Sequence, residues 1–165
     1  MQNNQPITYR MRLFCTLLLI LLPFSKSLAQ NTFSLNTTTG LNFNFNTASS
    51  LENDNVKQNA FIVTVRPKSS NISVYARIYY YSAPYGFVPG SMNLELDYKS
   101  VNSTTGVSNL VTSPFILSTS DQRLFSISRR TTTFNFYYDL ICTAPGYSTA
   151  TGHYNFTLMF TMTSP

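Results

Sequence analysis

The chain has 165 residues, of which 43% are hydrophobic, 15% aromatic and only 10% charged, with a formal net charge of +5. Three of its basic residues, Arg10, Arg12 and Lys26, lie in the first 29 positions, so residues 30–165 balance 8 basic against 6 acidic side chains, scattered singly. Such a chain has no basic stripe to neutralise a phosphate backbone, and residues 30–165 are one domain's worth, able to bury roughly two thirds of their unfolded surface.

Residues 1–29 read as a secretory leader. Arg10 and Arg12 supply positive charge, residues 13–24 are almost wholly apolar, and Ser27 and Ala29 place small residues where a signal peptidase reads, predicting cleavage before Gln30. As a helix, those 12 apolar residues would extend only about 18 Å at 1.5 Å per residue, against a bilayer core of about 30 Å, so a stable transmembrane anchor is not expected. Met11 directly precedes the apolar run and is an alternative start. Cys15 lies near the beginning of that run rather than after it, unlike a lipid-attachment cysteine. Residues 30–165 form the expected single domain.

No window of that domain has apolar residues at helical spacing; period-two alternation recurs instead, bounded by Gly, Pro, Asn and Ser. A weak opening strand is predicted at 32–35. Leu41, Phe43 and Phe45 alternate with asparagines, and Phe61, Val63 and Val65 precede Pro67. Ile72, Val74, Ala76, Ile78 and Tyr80 share one face of the next run; Leu94, Leu96 and Tyr98 follow Met92 in another. Phe115 to Leu117 and Leu124 to Ile127 read as short strands. Phe134, Phe136, Tyr138, Leu140 and Cys142 line a long one, and Tyr154, Phe156, Leu158, Phe160 and Met162 the last. The pattern predicts an all-β antiparallel β-sandwich of eight or nine strands, with a closed β-barrel as the alternative. The hairpins are too short and uneven for a membrane barrel.

Candidate chemistry is sparse. Cys142 is the only cysteine after residue 29 and falls on an apolar strand face, the pattern of a buried thiol. His153, the only histidine, alternates outward on the last strand with no partner at ligand or triad spacing. Glu95 and Asp97 share a strand face, but Lys99 follows on it, the mark of a solvated face rather than a glycosidase pair. Glu52 and Asp54 lack the glycine and spacing of a calcium loop and read as a polar loop. The Arg129-Arg130 doublet reads as a solvated turn. Four Asn-x-Ser/Thr sequons, at Asn36, Asn71, Asn102 and Asn155, are what so Asn-, Ser- and Thr-rich a composition produces by chance. No cofactor or metal site is expected.

The most unusual cluster is 75–81. On a regular strand Tyr75, Arg77, Tyr79 and Tyr81 would form one outward row, with Tyr85 and Phe87 beyond it. Tyrosine and arginine dominate interface hot spots, and aromatic rings stack on sugars. The competing reading covers the row with a loop or pairs it with tyrosines such as Tyr137 across the sheet.

The segments 41–47 (LNFNFNT) and 152–161 (GHYNFTLMFT) resemble bacterial secreted and cell-surface β-sandwich proteins, including pilus-subunit-like and WxL-like domains. The likeness covers about 25 residues. The chain has no tryptophan, hence no WxL signature, and a single cysteine after residue 29 excludes the disulfide of many pilus subunits. The resemblance implies an Ig-like or pilin-like sandwich and a surface role, and carries over no binding residues. The expected function is therefore non-enzymatic: a secreted or cell-surface structural or adhesion protein with protein or glycan partners and no nucleic acid. A carbohydrate-binding module using the tyrosine row is the alternative. If the leader works as read, mass spectrometry of exported material should find an N-terminus at Gln30 or its pyroglutamate; a product retaining residues 11–29 would refute export by cleavage.

Overall fold

Alternating apolar side chains become strands wherever a partner edge is available, and the computed structural model, which describes residues 30–82, 93–149 and 153–164, contains nine. They are β1 (Thr32–Thr37), β2 (Asn55–Arg66), β3 (Ile72–Ser82), β4 (Leu94–Val101), β5 (Val107–Ser108), β6 (Phe115–Ile116), β7 (Gln122–Ile127), β8 (Phe134–Cys142) and β9 (Asn155–Thr163). All pairings are antiparallel. One sheet has the order β1-β2-β8-β4-β6 and the other β5-β7-β3-β9; both keep open edges, so the barrel alternative is set aside.

The sheets pack face to face through their alternating residues. Val63, Val65, Phe134, Phe136 and Leu96 from the first sheet meet Ile72, Val74, Leu124, Phe125 and Ile127 from the second, all 1% exposed or less. Phe125 stacks on Phe136 with ring centroids 3.6 Å apart, and Phe61 meets Phe160 at 5.1 Å. Cys142 is buried at the end of β8, as its position in the alternation predicts. The last strand also follows its predicted alternation, but Phe156, Leu158, Phe160 and Met162 are only half-buried, because β9 is a sheet edge.

Three elements depart from the sequence reading. Leu41, Phe43 and Phe45 do turn half-buried onto the core, yet residues 41–46 join no ladder and are not a strand. A five-residue helix, α1 (Ala48–Glu52), was not visible as periodicity because it is too short to show any. Its signal is a capping box: Thr47 Oγ1 accepts from the Ser50 N–H at 3.2 Å and Ser50 Oγ from the Thr47 N–H at 3.1 Å. The two-residue β5 is likewise too short for a pattern. Met92, Tyr85 and Phe87 lie outside the described residues, as do the leader and Cys15.

The register shifts in four pairings, in β2–β8, in β3–β7 between Val74 and Tyr75, in β3–β9 and in β4–β8 between Tyr98 and Ser100, and the first and third of these matter most for what faces where. In β2 the register with β8 jumps between Lys57 and Phe61, and Asn59 takes a left-handed conformation (φ 49°). Its N–H points at Asp139 Oδ1, 2.6 Å away, which is how a carboxylate comes to be only 5% exposed. Asp139 also pairs in register with Asp97, and Lys99 Nζ bridges the two at 3.7 and 3.4 Å. In β3 a bulge falls between Ile78 and Tyr80 in the pairing with β9. Replacing Asp139 by Ala should remove the acceptor of the Asn59 N–H, a hydrogen bond to a charged group worth about 1.5–3 kcal/mol, readable as a lowered urea midpoint. An unchanged midpoint would show that the bulge needs no anchor.

Candidate functional site

The outer face of the second sheet collects the residues singled out at 75–81. β3 lies between β7 and β9, so its outward side chains have neighbours on both sides. Tyr75 is opposite Arg123 on β7, whose guanidinium carbon sits 5.7 Å from the Tyr75 ring centroid. Arg77 is opposite Met159 on β9; its Nη2 lies 3.5 Å from the Met159 sulfur and its Cζ 5.7 Å from the Tyr79 ring. Asp121 Oδ1, in the turn before β7, approaches Arg77 Nε at 3.5 Å. Each cation–π contact is worth about 0.5–1 kcal/mol at an exposed site and the ion pair about 0–1 kcal/mol. Together they orient two guanidinium groups beside two phenol rings.

The four-residue row predicted on regular alternation does not survive the β3 bulge. Up to Ile78, which pairs with Leu158, the alternation holds, and Tyr75 and Arg77 face out. Tyr79 is the extra residue of the bulge and is 65% exposed. Beyond it the register is shifted by one, so Tyr81 stands opposite core-facing Phe156 and not beside Thr157, although it stays 46% exposed. A bulge re-aims side chains in this way because one added residue reverses the parity of everything after it. The outward group is therefore Tyr75, Arg77 and Tyr79, extended sideways by Arg123 and Met159. Pairing of the row with Tyr137 is excluded, since Tyr137 is on β8 in the other sheet.

The remaining candidates take structural places. Glu52 Oε1 accepts from the Tyr147 hydroxyl at 2.5 Å and Asp54 Oδ1 from the Ala144 N–H at 2.8 Å, tying the α1–β2 corner to the loop after β8. The carboxylate opposite Asp97 is Asp139, across the strands, rather than Glu95 along one. His153 is exposed. Among the described residues no three His, Cys, Asp or Glu side chains gather as a metal would need, and no helix is long and apolar enough to cross a membrane.

A cavity of about 800 Å³ opens between residues 41–46, the start of β9 and the end of β8, lined by Leu41, Phe43, Leu140, Cys142, Phe156 and Leu158 among others. Its lining is mixed, the apolar rings and aliphatic chains alternating with Asn42, Asn44, Asn155 and Thr157. Burial, reinforced by the charge of Asp54, pushes the Cys142 thiol up to about 12, so at neutral pH it is no nucleophile. Comparison of the chain with family models, with curated proteins and with solved structures returned no match.

Several groups make stability depend on alkaline pH, among them Cys142, Tyr138 and Lys99. Burial raises Cys142 from 9.0 to about 12 and raises Tyr138 above its ordinary 10, while the hydrogen bond and charge of Asp97, with the charge of Asp139, raise Lys99. In each the folded state holds its proton more tightly than the unfolded chain does, so their contribution is complete below about pH 9 and is lost as pH climbs from there through the folded values. Urea midpoints should be level between pH 7 and 8.5 and fall above pH 9. Cys142→Ala should fall less steeply between pH 9 and 10.5, and an identical slope would place the thiol in solvent.

Proposed function

We propose that this chain is a non-enzymatic, exported or cell-surface structural or adhesion protein, an Ig-like or pilin-like sandwich that makes contact through the outer face of the β7-β3-β9 sheet. The observation that carries this reading is Tyr79, held two-thirds exposed by the bulge beside the oriented guanidinium of Arg77. Exposed aromatic and apolar side chains grouped on one face are uncommon on a soluble monomer and usually mark a contact surface. Tyr79, Arg77 and Met159 form such a group, flanked by the neutral hydroxyls of Thr157 and Thr161. The leader-like first 29 residues and the resemblance of residues 41–47 and 152–161 to secreted sandwich proteins support the location.

Tyr75 and Tyr79 each lie beside an arginine, and a ring flanked by a hydrogen-bond fork also suits a sugar. This favours the carbohydrate-binding module as second reading. Tyr79→Ala combined with Arg77→Gln removes the face's two central groups together with one cation–π contact and one ion pair, so the fold should lose about 0.5–2 kcal/mol and remain folded. Sedimentation at rising concentration, pull-down of surface proteins and a glycan array should be run on both forms. Loss of self-assembly or of protein capture in a variant that still melts cooperatively, a few degrees lower at most, is the expected result. Loss of glycan binding without assembly selects the second reading, and no change in any measurement overturns both.

A further inference from the structure

Scattered through the sequence, the basic residues become organised in the fold. Of the eight in residues 30–165, Arg77 and Lys99 approach carboxylates, and Lys57 and Arg123 lie over the rings of Phe43 and Tyr75. The other four are Arg66, Lys68, Arg129 and Arg130. They sit together at the pole where β2 ends and β3 begins, and where β7 passes to β8. The two turns that carry them are stitched to each other. Arg130 donates its backbone N–H to Pro67 O at 2.7 Å, and Arg129 its own to Asn71 Oδ1 at 2.8 Å. The guanidinium groups are positioned by the same knot: Arg66 Nε donates to Thr131 O at 2.6 Å and Arg129 Nε to Lys68 O at 3.1 Å. The Arg130 side chain lies against Gly106, where φ is +84° and any β-carbon would collide with it.

None of the four forms an ion pair among the described residues, and all six acidic residues of the chain lie elsewhere. Glu52 and Asp54 are at the opposite pole, beside the ends of β8 and α1. Three guanidinium groups held by these two turns, with Lys68 in one of them and no counter-charge, repel one another, a cost that a bound polyanion would cancel. Arginine forks match carboxylate and sulfate oxygens two at a time. Ser69, Ser70, Thr131 and Thr132 add hydroxyls between them. Among the described residues no large apolar side chain is exposed at this pole; those that are exposed (Tyr79, Tyr81, Met159, Val56, Ile116 and Tyr147) lie on other surfaces. There is thus no platform for stacking unpaired bases and no wedge for entering a bilayer.

We propose that Arg66, Lys68, Arg129 and Arg130 form a binding site for an acidic polysaccharide, one bearing carboxylate or sulfate groups, read through charge and hydrogen bonds. The site is separate from the outer sheet face and stands or falls independently of it.

The test uses the purified full chain with heparin as the sulfated probe, polygalacturonate as the carboxylated one and dextran as the neutral control. Double-stranded DNA and phosphatidylglycerol vesicles are the competing polyanions. Binding to one or both acidic polysaccharides is expected, weakening about tenfold or more between 50 and 200 mM salt by analogy with phosphate contacts, with none to dextran. The triple variant K68Q/R129Q/R130Q should lose at least tenfold in affinity, while Tyr79→Ala should lose nothing. Circular dichroism checks the triple variant's fold. If it is disturbed, Lys68→Glu, whose side chain carries none of the stitching hydrogen bonds, should still cost severalfold. Undiminished affinity in the folded variants overturns the proposal, as do equal binding of dextran and preference for DNA or vesicles over both acidic polysaccharides.

Discussion

Phe125 and Phe136, one from each sheet, lie ring on ring across the centre of the molecule, and most of what is ordered around them depends on that seam. Residues 30–164 contain one cysteine, so the sheets have no covalent tie to each other. Their cohesion comes from aromatic and β-branched side chains removed from water, at roughly 25 cal/mol for each Å² of apolar surface. Buried Phe and Tyr side chains are large enough for a few of them to supply much of the total. The arrangement has a kinetic consequence. Apart from β1 and β2, every pair of successive strands is split between the two sheets, so almost no ladder is a local hairpin. Partners distant in sequence must find each other before the seam can close, which is the regime of slow folding.

Against that framework the bulges are what give the surface its character. A regular β2 would have no place for Asp139 except in an apolar layer or in solvent. The left-handed turn at Asn59 offers it an N–H, and Lys99 a charge, so a carboxylate becomes part of the ladder's repair. A regular β3 would spread its aromatic residues along one stripe. The extra residue at 79 concentrates them instead, aiming one ring outward next to Arg77 and sending the rest of the strand to the other parity.

The fold class was legible because period-two alternation follows directly from strand geometry, and runs such as Phe134 to Cys142 state it over nine residues without interruption. What could not be read was anything depending on a partner strand. Residues 41–46 carry a strand's alternation and its half-buried face but join no ladder, a cavity standing between them and the start of the edge strand β9. The bulge at Tyr79 leaves no mark in the sequence, since Tyr79, Tyr80 and Tyr81 are chemically equivalent and only the register with β9 tells them apart. Arg123 joins the candidate face through β7 pairing, 46 residues from Arg77 along the chain. Arg66, Lys68, Arg129 and Arg130 likewise looked like two unrelated pairs, because charge density is a property of the folded surface and the turns that unite them are 60 residues apart.

Asn31 and Ser164 bring the two ends of the sandwich together. The Asn31 amide donates to the Ser164 hydroxyl at 3.0 Å, so the backbone comes in and goes out at one point, beside the turns that carry the arginines. Any polypeptide joined before residue 30 and any joined after 164 would depart from the same spot. The molecule therefore has the shape of a pendant: spliced into the loop of a host protein, it would hang from a single tether and stretch the host's loop hardly at all. Its tether side would be the cationic one, and its free tip would be the corner where Glu52 meets Tyr147.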